Sequence, residues 1–264
     1  MKRFGLIGHP VVGSLSPRLF EAAYGGRYSY DLLEGAVFDA SWQRFLDEYD
    51  GINITAPFKQ DAFRTVDVLS EDARLCGAVN LAVKTPDGIV GYNTDVAGVM
   101  LAVQETLGVI PGLTPSVIPG LTENLSASGD VPSLREALVV GCGGAGRAAA
   151  VAALRLGCRV TLANRTAARA ASLASELGCA WAPIETLASL SPDLVIYTIP
   201  GPMEGLPDFP DAVILEANYK TPVLEGCGRA YISGLRWLLF QAVAGYEIFT
   251  GETPDAGAMF RIFC

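Results

Sequence analysis

The stretch Leu138-Val139-Val140-Gly141-Cys142-Gly143-Gly144-Ala145-Gly146-Arg147 decides the fold. A short apolar run, Ala137 to Val140, leads into it and reads as a buried strand. The run Ala148 to Leu154 leaves it and is a strong helix former. Between them Gly141, Gly143 and Gly146 spell G-x-G-x-x-G in the strand–turn–helix setting where that pattern has a mechanical meaning. Gly141 permits the tight turn, Gly143 lets a pyrophosphate approach the backbone, and Gly146 lets the helix lie close on the strand. The free N–H groups and positive dipole end of that helix then face the phosphates.

The bare pattern also describes an ordinary glycine-rich loop, and the next strand supplies the context. Arg159 to Ala163 alternates and ends in Asn164-Arg165-Thr166. An acidic residue usually ends this strand when a free ribose 2′-hydroxyl is to be held. Here Arg165 stands instead, with Arg169 one helical turn further on. Two guanidinium groups suit a 2′-phosphate and gain little from a hydroxyl. The cofactor read from the residues is therefore NADP(H).

With 264 residues the chain has room for two domains of ordinary size. Hydrophobic residues at 50% against 18% charged supply a large core. No apolar run approaches the ~20 residues that span a bilayer. The start, Met1 to Gly8, is basic and apolar, but it reaches His9-Pro10 too soon for a secretory signal and reads as a first buried strand. The net charge of −9 disfavours nucleic acid and provides no basic membrane patch. An anionic ligand must then be held by local basic groups, and lysine is scarce: Lys2, Lys59, Lys84 and Lys220. The six cysteines form no C-x-x-C pair and no metal spacing with the single histidine, His9. They read as small buried hydrophobes in a reducing cytoplasm, and no metal site is expected. His9, beside Pro10, reads as a turn residue.

Strand and helix patterns alternate from the start. Arg3–Ile7, Tyr28–Leu33 and Gly51–Thr55 read as strands. A helix opens at Pro17 with Ser16 as its N-cap, and others cover 42–49, 57–63, 71–75 and 94–107. Residues 78–83 and 88–92 form a hairpin around Pro86-Asp87-Gly88. Such alternation predicts an α/β unit with a mixed sheet. Polar residues gather at the strand ends: Ser14, Ser16, Asn53, Thr55, Lys59, Asn80, Asn93, Thr94 and Asp95. Singly, these are ordinary caps and turn residues. Together, beyond the carboxyl ends of strands, they would suit a small, oxygen-rich, anionic molecule.

At these residues the chain resembles the shikimate dehydrogenase family. The matching runs are Gly8-His9-Pro10 to Ser14-Leu15-Ser16-Pro17, Asn53-Ile54-Thr55-Ala56-Pro57-Phe58-Lys59, Gly77-Ala78-Val79-Asn80, Gly91-Tyr92-Asn93-Thr94-Asp95, the glycine turn with Asn164-Arg165-Thr166, and Gln241-Ala242. They stand in the family's order over nearly the whole chain. The resemblance implies reversible NADP-linked reduction of 3-dehydroshikimate to shikimate in aromatic amino-acid biosynthesis. It implies that Ser14 and Ser16 hold the substrate carboxylate, that Thr55, Asn80, Asp95 and Gln241 hold the hydroxyls and ring, and that Tyr219 lies by the carboxylate. Lys59 and Asp95 are the implied catalytic pair. A ketone taking up hydride puts charge on its oxygen, which needs a positioned proton donor or cation. Lys59 suits either role, and the residues leave both open. Cofactor contacts are implied for Gly141, Gly143, Gly144, Ala145, Gly146, Asn164, Arg165, Thr166, Arg169, Thr198, Gly234 and Trp237.

The chain departs from the family pattern at Gly13 for histidine, Leu81 for threonine, Tyr197-Thr198-Ile199-Pro200 for an Asn-Ala-Thr/Ser run, Ser233 for aspartate and Trp237 for methionine. These bear on nicotinamide contacts and rate more than on substrate class.

Residues 108–136 turn to Gly, Pro, Ser and Thr, and Val109-Ile110-Pro111-Gly112-Leu113-Thr114 recurs as Val117-Ile118-Pro119-Gly120-Leu121-Thr122. A tandem duplication in a surface loop is the simplest reading, and such insertions are thermodynamically mild. Further βα units follow at 167–177, 194–198 and 212–217, and fit a doubly wound sheet. The long apolar helix 235–250 carries Gln241, and the resemblance implies that it returns to the first domain. The expected organisation is α/β throughout: a mixed-sheet substrate domain, 1–107 with 235–264 returning, a linker loop over 108–136, and a Rossmann-like doubly wound NADP-binding domain, 137–234. Partners are a small-molecule substrate with neither nucleic acid nor membrane, in a monomer or homodimer. The alternatives are a quinate/shikimate dehydrogenase with relaxed substrate or cofactor use, and a non-catalytic dinucleotide-binding regulator.

Overall fold

A computed structural model describes residues 2–109 and 134–263. The duplicated segment of the linker loop therefore lies almost wholly outside the described residues.

Two compact units emerge. Among the described residues the first comprises 2–94 and 241–263, and the second 95–109 and 134–240. The first unit holds a six-stranded mixed sheet in the order β2-β1-β3-β5-β6-β4. Its strands are β1 (Arg3–Gly8), β2 (Ser29–Glu34), β3 (Gly51–Ile54), β4 (Val68–Leu69), β5 (Leu81–Thr85) and β6 (Gly88–Tyr92). β1 pairs in parallel with β2 and β3, while β3–β5 and β5–β6 run antiparallel. The 85–88 turn closes the predicted hairpin, with Lys84 opposite Ile89.

This mixture places several strand ends on one edge. β1 and β3 run the same way, so Gly8 and Ile54 finish side by side. β5 runs against β3 with Leu81 opposite Asn53, and β6 runs against β5 with Tyr92 opposite Leu81. The loop after β1, the end of β3, Asn80 and the Asn93-Thr94 pair therefore share that edge. The helices are α1 (Ser16–Tyr24), α2 (Phe38–Glu48), α3 (Lys59–Thr65) and α4 (Glu71–Cys76). The predicted N-cap role of Ser16 is corrected: Leu15 caps α1 with helical backbone angles and no side-chain bond. The Ser16 hydroxyl is bonded to Ser14 instead.

The second unit begins with α5 (Asp95–Thr106), buried continuously from Val96 to Gln104. It packs on α6 (Gly144–Arg155), whose buried face is almost all alanine. Small side chains let the two helix backbones approach closely. The sheet is wholly parallel, in the order β12-β11-β10-β7-β8-β9. Its strands are β7 (Glu136–Val140), β8 (Arg159–Ala163), β9 (Ala180–Trp181), β10 (Leu194–Tyr197), β11 (Val213–Glu216) and β12 (Ala230–Ser233). Every residue of β10 and β11 is buried, the pattern of strands covered on both faces. α7 (Ala167–Leu177) follows β8. The helix α8 (Gly234–Thr250) gives residues 234–240 to the second unit and 241–250 to the first. α9 (Ala256–Phe260) completes the first unit.

One aromatic cluster seals the first unit. Phe249 stacks on Phe4 at 4.8 Å between centroids, and Phe20 meets Tyr246 edge-on at 4.8 Å. Gly51 is required under that stack, because a Cβ there would lie 2.7 Å from the Phe249 ring.

Candidate active site

In the first unit the predicted substrate residues fall along the shared edge, and hydrogen bonds join Ser14 to Ser16 and Asn80 to Gln241. The Ser14 hydroxyl donates to the Ser16 hydroxyl at 3.1 Å, and the Ser16 amide donates to Ser14 Oγ at 3.2 Å. Behind them Tyr246 donates to the Ser16 carbonyl at 3.0 Å. Tyr30 donates to Asn53 Oδ1 at 2.8 Å, and Asn53 Nδ2 donates to the Asn80 carbonyl at 3.3 Å. Burial pushes both phenols well above their ordinary range, so they stay neutral donors. The Thr55 amide donates to the Ile7 carbonyl at 3.0 Å, fixing Thr55 beside the end of β1.

Asn80 is the hub. It is 4% exposed, and its Oδ1 accepts the Thr94 amide at 2.9 Å. Its Nδ2 donates to Thr94 Oγ1 at 3.1 Å and to Gln241 Oε1 at 3.4 Å. Thr94 Oγ1 in turn donates to Gln241 Oε1 at 3.2 Å. Gly245, one turn beyond Gln241, lets α8 come this close, since a Cβ there would meet the Leu81 side chain at 2.8 Å. Lys59, the half-buried first residue of α3, is tied to the hub through the backbone: its carbonyl accepts the Val79 amide at 2.9 Å. Asp95, also half-buried, directly follows Thr94 and opens α5.

In the second unit the remaining predicted residues stand at the carboxyl ends of parallel strands. The order reverses on either side of β7, so the glycine turn sits at the point where successive connections diverge, the usual place for a ligand in an open α/β sheet. Gly141 has φ 105°, and a Cβ on it would overlap the Thr198 hydroxyl. A Cβ on Gly146 would overlap the Gly141 carbonyl, so this glycine serves close packing. Gly143, Gly144 and Ala145 are exposed, and a Cβ on either glycine would meet nothing within 4 Å. The Thr198 amide and hydroxyl both donate to the Val140 carbonyl at 2.9 Å. Asn164 Oδ1 accepts the Cys142 amide at 3.3 Å, and its Nδ2 donates to the Thr166 carbonyl at 3.1 Å, which joins the glycine turn to the end of β8. Arg165 and Arg169 are exposed. They make no ion pair among the described residues, in contrast to Arg147, which pairs with Glu176 at 2.6 Å.

These residues fit a dinucleotide phosphate group. Open backbone lies at a helix N-terminus, and exposed cations stand where an acidic residue would exclude a 2′-phosphate. Gly234 opens α8 against the Ala217 carbonyl. Trp237 is 5% exposed, and its buried Nε1 has no hydrogen-bond partner. Tyr219 is half-buried in the loop after β11. That loop is built on Glu216, a fully buried carboxylate that accepts the Val223 and Leu224 amides at 2.8 and 2.9 Å.

Residues 6–82 match the model of the shikimate dehydrogenase substrate-binding domain. A shikimate dehydrogenase (NADP(+)) of Acidiphilium cryptum is 35% identical over 95% of this chain and 91% of its own length. The chain belongs to the shikimate dehydrogenase family. Among solved structures, shikimate 5-dehydrogenase from Thermus thermophilus in complex with NADP(H) and shikimate superposes with a TM-score of 0.80 at 28% identity, covering 99% of this chain and 98% of that one. A quinate dehydrogenase from Corynebacterium glutamicum in complex with NAD gives a TM-score of 0.78 at 25% identity, covering 99% of this chain and 98% of that one.

Sequence reasoning did not single out Tyr30, Glu34, Glu216 or Tyr246. The first and last are aromatics at strand and helix positions that also suit core. The two glutamates bond to backbone amides, which carry no residue signature.

Proposed function

We propose that the protein is an NADP-dependent shikimate dehydrogenase, reversibly reducing 3-dehydroshikimate to shikimate. The observation that carries this reading is the Asn80 hub. One buried amide grips Thr94 and Gln241 and lies one residue from Val79, whose backbone amide donates to the Lys59 carbonyl, so residues from four separated stretches of sequence are assembled at one sheet edge. Family membership and the exposed Arg165 and Arg169 support the substrate and cofactor assignments.

On this reading the first unit, with the C-terminal return, is the substrate domain, and the parallel-sheet unit is the cofactor domain. Ser14 and Ser16 hold the substrate carboxylate, with Tyr219. Thr55, Asn80, Asp95 and Gln241 hold the ring hydroxyls. When bound, NADPH supplies the hydride. Lys59 is the group assigned to the ketone oxygen: its ammonium stabilises the charge that develops there and gives up the proton, and the resulting amine is reprotonated by solvent. Asp95 orients that ammonium and the neighbouring hydroxyl. The glycine turn and the two arginines hold the phosphates, and Thr198, Gly234 and Trp237 lie along the nicotinamide half. A cytoplasmic monomer or homodimer is the matching assignment; the five described cysteines are all free thiols, and no described helix is long and apolar enough to cross a membrane.

The test is NADPH oxidation with 3-dehydroshikimate, beside NADH and 3-dehydroquinate. Turnover with NADPH and 3-dehydroshikimate at the highest kcat/KM is expected. Turnover with NADH alone would replace this reading by a quinate/shikimate enzyme, and none with any pair by a non-catalytic binder.

A further inference from the structure

The loop that carries Ser14 and Ser16 is held by a residue outside the family's matching runs. Glu34 is the last residue of β2, and the register sets it beside Gly8, the last residue of β1. Its Oε2 accepts two successive backbone amides, Val11 at 3.1 Å and Val12 at 3.2 Å. Its Oε1 lies 3.3 Å from His9 Nδ1. The carboxylate thus accepts two amides and contacts the His9 ring on the four-residue segment 9–12.

The next bonds lead to the serines. The Ser14 amide donates to the Val11 carbonyl at 3.0 Å, closing a turn through Gly13, whose φ of 82° suits glycine. Ser14 Oγ then meets the Ser16 amide and hydroxyl. The Val11 side chain is 3% exposed and pins one side of the turn, whereas Val12 is 85% exposed and adds no packing. Among the described residues the segment is held besides Glu34 by the buried Val11, by the 3.0 Å bond from the His9 amide to the Ala56 carbonyl and, further on, by Tyr246 donating to the Ser16 carbonyl. A carboxylate accepting paired amides makes stronger bonds than a neutral acceptor.

We infer that Glu34 is a positioning residue for the substrate carboxylate, acting through the Val11–Ser14 turn on the two serine hydroxyls. The inference rests on the substrate assignment above. Its test compares Glu34→Ala and Glu34→Gln with the wild type by steady-state kinetics in shikimate and in NADP+, and by amide hydrogen exchange at Val11 and Val12. Glu34→Ala is expected to raise KM for shikimate about five- to tenfold, leave kcat and KM for NADP+ within about twofold, and release both amides to exchange. Glu34→Gln keeps a carbonyl oxygen for the same amides and is expected to restore KM to within about twofold of the wild type. A wild type that oxidises shikimate beside a Glu34→Ala variant with unchanged KM would overturn the positioning role alone. So would equal losses in both variants, or KM for NADP+ rising in step. A wild type with no shikimate turnover would remove the substrate assignment and this role with it.

Discussion

Replacing Asn80 by alanine tests the hub directly, and its cost follows from the bonds. The Thr94 amide loses its acceptor at 2.9 Å, in a residue only 3% exposed. A buried donor left without a partner costs about 1–3 kcal/mol. The lost donations to Thr94 Oγ1 and Gln241 Oε1 add about 1 kcal/mol. They add no more, because those two atoms keep their own 3.2 Å bond. The expected loss is about 2–4 kcal/mol, or a Tm lowered by roughly 4–15 °C for a chain of this size. Urea unfolding followed by circular dichroism gives the first quantity and a thermal scan the second. A cycle with Gln241→Ala isolates the Asn80–Gln241 bond, for which a coupling of about 0.5–1 kcal/mol is expected. A loss below about 1 kcal/mol for Asn80→Ala, or additivity of the two variants within about 0.3 kcal/mol, would refute the reasoning.

Arg165→Ala combined with Arg169→Ala should lower kcat/KM for NADPH about 100-fold and leave that for NADH within about threefold; equal losses with both cofactors would show that the arginines act on the fold. Lys59→Ala should cut kcat at least about 100-fold while KM for NADPH stays within about twofold, as read in the same assay. Asp193 ties β7 to β10: burial alone would raise its carboxyl pKa, but the Glu136 and Arg135 amides, with the charges of Arg229 and Arg135, outweigh this and hold it low. A carboxylate lowered by folding contributes stability above its unfolded value of about 3.9, lost as pH falls through the lower folded value. Asp193→Asn should therefore cost about 1 kcal/mol at neutral pH and flatten the acid limb of a pH–stability curve, whereas parallel curves would contradict it.

The glycine turn and its flanks were legible because strand, turn and helix each leave a pattern in adjacent residues. The parallel sheet followed from the spacing of its apolar runs, and the mixed sheet from the alternation before it. The two-residue strands β4 and β9 were not legible, being too short to show a period. Nor was the placing of α5 by contacts in the second unit. A helix buried from Val96 to Gln104 has no polar face to say which neighbour it prefers. Ser16 before an apolar run has the form of a cap, yet its oxygen found Ser14, two residues away, instead. The pairing of Asn80 with Gln241 spans 161 residues, and only the fold, or a family likeness, brings such residues together.

The C-terminal return has a consequence for biosynthesis. A ribosome that has released residues up to 240 has exposed everything the parallel-sheet unit requires among the described residues, but the unit begun first still lacks a wall. Phe4 awaits Phe249, Phe20 awaits Tyr246, and the Ala23 carbonyl awaits the Asp255 amide. The unit whose strands come first in the chain is thus completed only after the other unit's residues have emerged. Until then its aromatic face stands open, and a chaperone that shields such surfaces has a target there.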